Sequence, residues 1–168
     1  LRGDNSFQEV PAGGITEADM WRLTANTNSG SNAVVTANWE RNDTAGFSKI
    51  GTGLSESSGI FSFPSTGIYE IRFHAVILMA ATDGWCQFGI QTTINNSSYT
   101  MQAVGVCGND TTSGDAGGSA SNSFIFDVTD VSNCKFRFET GSFTSGTQLY
   151  GDTTINYTGF VSTRLGDT

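Results

Sequence analysis

Charge is what this chain of 168 residues has least of: Asp, Glu, Lys and Arg make up 14% of it. Lysine occurs only at Lys49 and Lys135, and histidine only at His74. Acids outnumber bases 16 to 8, for a net charge of −8. Nucleic-acid binding needs a basic stripe that neutralises phosphates, so nucleic acid is excluded as a partner. No apolar run approaches the roughly 18 residues that a membrane span requires. The longest, Ala75 to Ala81, is strand-sized, so membrane insertion is not expected. No segment sustains a helical period. The three cysteines form no CxxC or Cys/His pair, which excludes the usual zinc spacings.

What the chain does have is glycine, 21 residues of it, with much Ser, Thr and Asn and only two prolines. That composition favours short strands joined by polar turns, and the length suits one domain with a real core. Residues 1–19 read as an extended lead-in, and residues 20–168 as the domain. Strands are expected at Met20–Ala25, Ala33–Arg41 and Phe47–Ile50, then a short one before Pro64 and a long one from about Gly67 to Ala81. Further strands are expected at Gly84–Asn95, Ser98–Cys107, Ser123–Val131, Cys134–Phe143 and Thr153–Leu165. In the first strand Trp21 and Leu23 face one way, Arg22 and Thr24 the other. Eight to ten antiparallel strands fit an all-β, two-sheet sandwich.

The stretch from Gly59 to Phe73 is the most informative. Phe61 and Phe63 alternate, then Tyr69, Ile71 and Phe73 alternate, and a period of two puts each set on one sheet face. Pro64 cannot donate to a ladder and Gly67 tolerates positive φ, so the strand breaks between them. A hairpin about Asn96-Ser97 would oppose Ile94 to Tyr99, Thr92 to Met101, Ile90 to Ala103, Phe88 to Gly105 and Cys86 to Cys107. That register gathers the large apolar groups on one face, except Trp85, Val104 and Val106.

Catalytic chemistry finds little support. His74 sits mid-strand and reads as structural rather than as part of a triad. The acids Glu9, Glu17 and Asp19, and the pair Asp127 and Asp130, read as solvated charge rather than a glycosidase couple. No cofactor is expected; Asp110 and Asp115, in the polar loop Asn109–Asn122, are weak calcium candidates. Cys86 and Cys107 would form a cross-strand disulfide or lie side by side as buried thiols, and both readings stand. Cys134 has no visible partner. Arg2-Gly3-Asp4 and the sequons at Asn42, Asn95, Asn96, Asn109 and Asn156 are discounted as products of composition.

The order of aromatics, proline and glycine from Phe61 to Phe73 resembles the signature of complement 1q and tumour necrosis factor jelly-roll domains. Tyr157-Thr158-Gly159-Phe160-Val161 is similar to their closing strand. The resemblance implies a non-enzymatic jelly roll that assembles as a homotrimer. It makes Phe61, Phe63, Tyr69, Phe73, Tyr157, Gly159 and Phe160 residues of the sandwich and of the seam between copies. Val10 to Thr24 and Gly51 to Phe61 also resemble modules in fibre or decoration proteins of marine tailed phages, including cyanophages. That likeness implies a virion-surface protein, in a tail-fibre receptor-binding tip or a capsid decoration. Its partners would be other virion proteins and a host surface glycan or receptor. The alternative is an extracellular lectin or ligand domain, and a polysaccharide-degrading tail enzyme ranks last. Ligand loops are expected at Asn26–Asn32, at Ala81–Trp85 with Trp85 beside Asp83, and at Asn109–Asn122.

Overall fold

The computed structural model describes residues 14–109 and 116–168, so Asp110, Asp115 and the Arg2-Gly3-Asp4 tripeptide lie outside the described residues. Twelve strands and no helix are found among the described residues. They are β1 (Ala18–Leu23), β2 (Ala33–Val34), β3 (Trp39–Arg41), β4 (Ser55–Ser57), β5 (Ile60–Ser62) and β6 (Gly67–Met79). Then follow β7 (Trp85–Thr93), β8 (Thr100–Gly108), β9 (Ala116–Val128), β10 (Lys135–Gly141), β11 (Gln148–Leu149) and β12 (Gly159–Gly166). The first sheet runs β9-β6-β12-β1-β3, with β11 beside the far end of β6. The second runs β4-β5-β10-β7-β8, with β2 against the end of β10. Every pairing is antiparallel.

The long strand β6 explains most of the core. Its odd positions from Tyr69 to Met79 point inward and are buried, while its even positions stay wetter, as a period of two demands. The break at Pro64 carries the chain from the second sheet to the first. Phe63 therefore meets Tyr69 of β6 across the core, and Phe61 meets Trp21 of β1 and Phe160 of β12. Tyr69 Oη donates to the Ser65 carbonyl at 3.1 Å, which satisfies a buried hydroxyl and pins this corner. Gly67 has φ +143, and a side chain there would run into Arg164 and the Gly166 carbonyl. Phe73 stacks on Phe138 across the sheets at 4.2 Å, and Phe160 meets Phe61 edge-on at 4.7 Å. Burying each such ring is worth about 1.5–3 kcal/mol.

Several boundaries differ from the sequence reading. The expected strand Ala33–Arg41 splits into β2 and β3, because Asn38 takes φ +66 and the chain crosses between sheets. Phe47–Ile50 is no strand; Ile50 alone bridges Ala18. The β7–β8 register holds at Cys86/Cys107, Phe88/Gly105 and Ile90/Ala103, then slips between Ile90 and Gln91, so Thr92 meets Thr100. The turn is longer than Asn96-Ser97, because Asn95 Oδ1 accepts from the Ser97 and Ser98 amides at 3.1 and 2.9 Å. Ile94 is consequently thrown outward, 71% exposed. The polar run ending at Asn122 is strand from Ala116 onward, since β6 offers it a full-length partner. The closing strand begins only at Gly159; before it, Asp152 Oδ1 gathers the Thr154 and Ile155 amides into a turn.

Candidate functional site

His74 and several of the acids are tied into the scaffold. His74 Nε2 lies 3.3 Å from the Asn156 carbonyl oxygen, a structural role. Asp19 corrects the reading of solvated charge. Its parity on β1 turns it inward beside Trp21, and its Oδ2 accepts from Trp21 Nε1 at 3.0 Å and from the Leu54 amide at 2.9 Å. Arg41 Nε donates to the same carboxylate at 3.0 Å. Glu17 likewise accepts from the Thr52 and Gly53 amides. Arg22 does face away from the core, yet it is fully buried, with Nη2 2.5 Å from Asp43.

Two of the three expected ligand loops converge at one end of the sandwich, joined by residues 142–147. Asn28 Nδ2 donates to the Thr144 and Thr147 carbonyls at 2.5 and 2.6 Å. Asp83 Oδ2 accepts from the Thr144 amide at 3.0 Å, from Thr147 Oγ1 and from the Cys86 thiol at 3.7 Å. Burial works to raise the Asp83 pKa, and these hydrogen bonds outweigh it, leaving the carboxyl below its usual value. Asp83 is thus a buried staple rather than a ligand-facing acid. Of the third loop, Asn109 donates its amide to the Gly84 carbonyl at 3.0 Å.

Cys86 and Cys107 are register partners on the inward face, and both thiols are free, as is Cys134. Burial, then the Asp83 charge, pushes the Cys86 pKa up to about 12; burial also raises that of Cys107. Among the described residues no group of three His, Cys, Asp or Glu could hold a metal ion.

The seam assignment needs correction for its aromatics. Phe61, Phe63, Tyr69, Phe73 and Phe160 are 0–5% exposed in a single chain, so they serve the intersheet core and cannot reach another copy. Gly159 is buried too, packed under the Trp21 backbone, and half-buried Tyr157 meets Tyr150 at 5.5 Å. Four of the apolar groups that reach the surface lie on the strands at the open edge of the sandwich. Trp85, Val104 and Val106 share the outer face of β7 and β8, at 50, 44 and 54% exposed, and Ile125 on β9 is 61% exposed. These two edge strands lie against each other: Gly118 sits on Cys107, and Asn122 Nδ2 donates to the Phe88 carbonyl at 3.2 Å. Strand β8 carries no charge and β9 only Asp127, although edges are commonly guarded by charge or proline. On the outer face of the first sheet, Ala18, Met20, Phe47 and Val161 line an apolar groove of about 250 Å³.

The outer face of the second sheet holds a group that residue-by-residue reading missed. Arg137 Nε donates to Gln91 Oε1 at 2.7 Å, its guanidinium lies 3.9 Å from the Tyr99 ring centroid, and Gln91 Nε2 donates to Glu139 Oε2 at 2.6 Å. The alternation Lys135, Arg137, Glu139 was the available signal, since it puts three charges on one outward row.

No protein-family model matches the chain, and no curated protein matches it. Solved structures do. Murine APRIL, in its crystal structure at pH 5.0, matches with a TM-score of 0.62 and 11% identity, over 89% of this chain and 98% of that one. Eiger TNF from S. frugiperda matches with a TM-score of 0.64 and 11% identity, over 90% and 93%. At that identity the likeness is one of fold: the chain is an antiparallel jelly-roll sandwich of the tumour necrosis factor type.

Proposed function

We propose that this chain is a non-enzymatic recognition module that assembles as a homotrimeric knob on a virion surface. The observation that carries the assembly is the β8/β9 edge, long, almost without charge, and bearing Val104, Val106 and Ile125 in the open. A monomer that exposes such an edge invites association. The groove lined by Met20, Phe47 and Val161 on the first sheet is the complementary surface. Edge into groove is a head-to-tail contact between different surfaces, and such contacts close into rings when the rotation permits. Three copies is the number that the fold resemblance implies.

Recognition then belongs to the end where loops 26–32, 81–85 and 142–147 are stapled together, a rigid platform of the kind that carries binding loops. The Ser/Thr/Asn-rich surface and the likeness to phage fibre and decoration modules support the virion setting. A non-enzymatic role is supported by the structural engagement of His74, Asp19 and Asp83. The neighbours' names favour a second reading, an extracellular ligand domain.

Light scattering at micromolar concentration tests the assembly. A mass three times that of the chain is expected, with Val106→Glu and Ile125→Glu shifting it to the monomer. A monomeric parent chain would refute the seam. Electron cryo-microscopy of particles carrying the labelled protein tests the setting; label on head or tail supports it, and an unlabelled particle favours the extracellular reading.

A further inference from the structure

The distribution of the few cations is uneven in a way that points to a ligand. Among the described residues, Arg22, Arg41, Arg72 and Arg164 each lie within 4 Å of a carboxylate. Lys49, Lys135 and Arg137 do not, and Lys49 stands by itself in an exposed loop, donating to the Gly51 carbonyl at 2.6 Å. Lys135 and Arg137 stand together, two residues apart on the outward row of β10, which sets their Cα atoms about 7 Å apart. In a chain with twice as many acids as bases, two neighbouring cations without carboxylate partners are unexpected.

Arg137 is also held in place. Gln91 fixes its Nε, Tyr99 supports one face of the guanidinium, and Glu139 fixes Gln91 from the other side. Among the described residues its two Nη groups have no hydrogen-bond partner, and they are not buried, which leaves the fork open. A pre-oriented fork is what bidentate recognition of a carboxylate or sulfate requires. Lys135 is anchored through Nζ to the Val131 carbonyl at 2.9 Å, which limits where its charge can go.

We propose that Lys135 and Arg137 form a binding site for the carboxylate or sulfate groups of an acidic saccharide. The surroundings favour a sugar over a polyphosphate. Ser55, Ser57, Ser62 and Gln102 supply neutral hydroxyl and amide partners on the same sheet face, suited to exchanging hydrogen bonds with sugar hydroxyls. The net charge of −8 repels any polyanion at longer range, acidic saccharides included, so binding depends on contacts at this spot. Glu139 limits the charge density that the site accepts.

The inference rests on the reading of the chain as a recognition module and adds a ligand site at the other end of β10 from the stapled loops, with its ligand class. Its test is titration with labelled polygalacturonate and dextran sulfate, against neutral dextran and a short single-stranded DNA, at one near-physiological ionic strength. Binding of either acidic polysaccharide, but not of dextran or DNA, is expected, and which one binds identifies the anionic group. Arg137→Gln and Lys135→Gln each lower affinity by at least about tenfold, the loss of one charge-assisted contact. Glu139→Gln raises it, and Arg72→Gln, on the other sheet and paired with Glu70, leaves it within about twofold. Near-UV circular dichroism checks each fold, and Lys135→Gln carries the test if Arg137→Gln does not fold. No binding, equal binding to DNA, or equal losses from Arg72→Gln and Arg137→Gln would overturn the site. The mass by light scattering is read separately, so a trimer that binds no acidic saccharide refutes this inference and leaves the assembly standing.

Discussion

Replacing Asp19 by Ala removes one carboxylate and strands several partners at once. Trp21 Nε1 and the Leu54 amide both donate to Asp19 Oδ2 in buried surroundings, so each would lose its acceptor. A buried donor left unsatisfied costs about 1–3 kcal/mol. Arg41 loses its ion pair, but its side chain is one-third exposed, so that share is discounted to about 0–1 kcal/mol. The expected loss is about 3–5 kcal/mol, a large part of the 5–15 kcal/mol typical of a domain. In urea, with a slope of about 2 kcal/mol/M, the midpoint falls by about 1.5–2.5 M. Unfolding should be followed by tryptophan fluorescence at fixed protein concentration, because assembly adds to stability. Asp19→Asn keeps an acceptor oxygen and loses less. A loss below about 1 kcal/mol for Asp19→Ala, at unchanged slope, would show that Asp19 does not hold Trp21 and Leu54 in place.

Two other outcomes follow from titratable groups. The carboxyls of Asp83, Asp130 and Asp152 lie below their usual value, the first against burial and by hydrogen bonds from Thr147 and Thr144, the others through their turn hydrogen bonds. A depressed folded pKa contributes stability that is present above about pH 4 and lost as pH falls further, so the thermal midpoint should hold above pH 4 and drop below it; a midpoint unchanged down to pH 2 contradicts this. The Cys86 pKa of about 12 makes its thiolate scarce, so native alkylation at pH 8 should be slow at Cys86, and denaturation should release three reactive thiols. A mass two units lower that reductant restores would instead show the Cys86–Cys107 cross-strand bond. The same raised pKa contributes stability up to about pH 8.5 that fades as pH climbs toward 12.

Alternation and turn chemistry are local, so they were legible in the sequence. The inward rows of β6 and β10, the break at Pro64, and the Cys86/Cys107 register follow from a period of two and from what proline cannot do. So did the outward placement of Trp85, Val104 and Val106, the odd ones out in an otherwise one-faced hairpin. The segment Gly117 to Asn122 was not legible, because its small polar residues are strand only through the partner that β6 supplies. Nor could the sequence show Asp19 and Asp83 as buried acceptors, since Leu54, Thr144 and Thr147, among their donors, lie 35 or more residues away. The tertiary structure alone decided that the family-like aromatics close the core. A period of two assigns a residue to a face of its own strand; whether that face meets the other sheet, a loop or water depends on which strands lie opposite, and only the folded chain sets that.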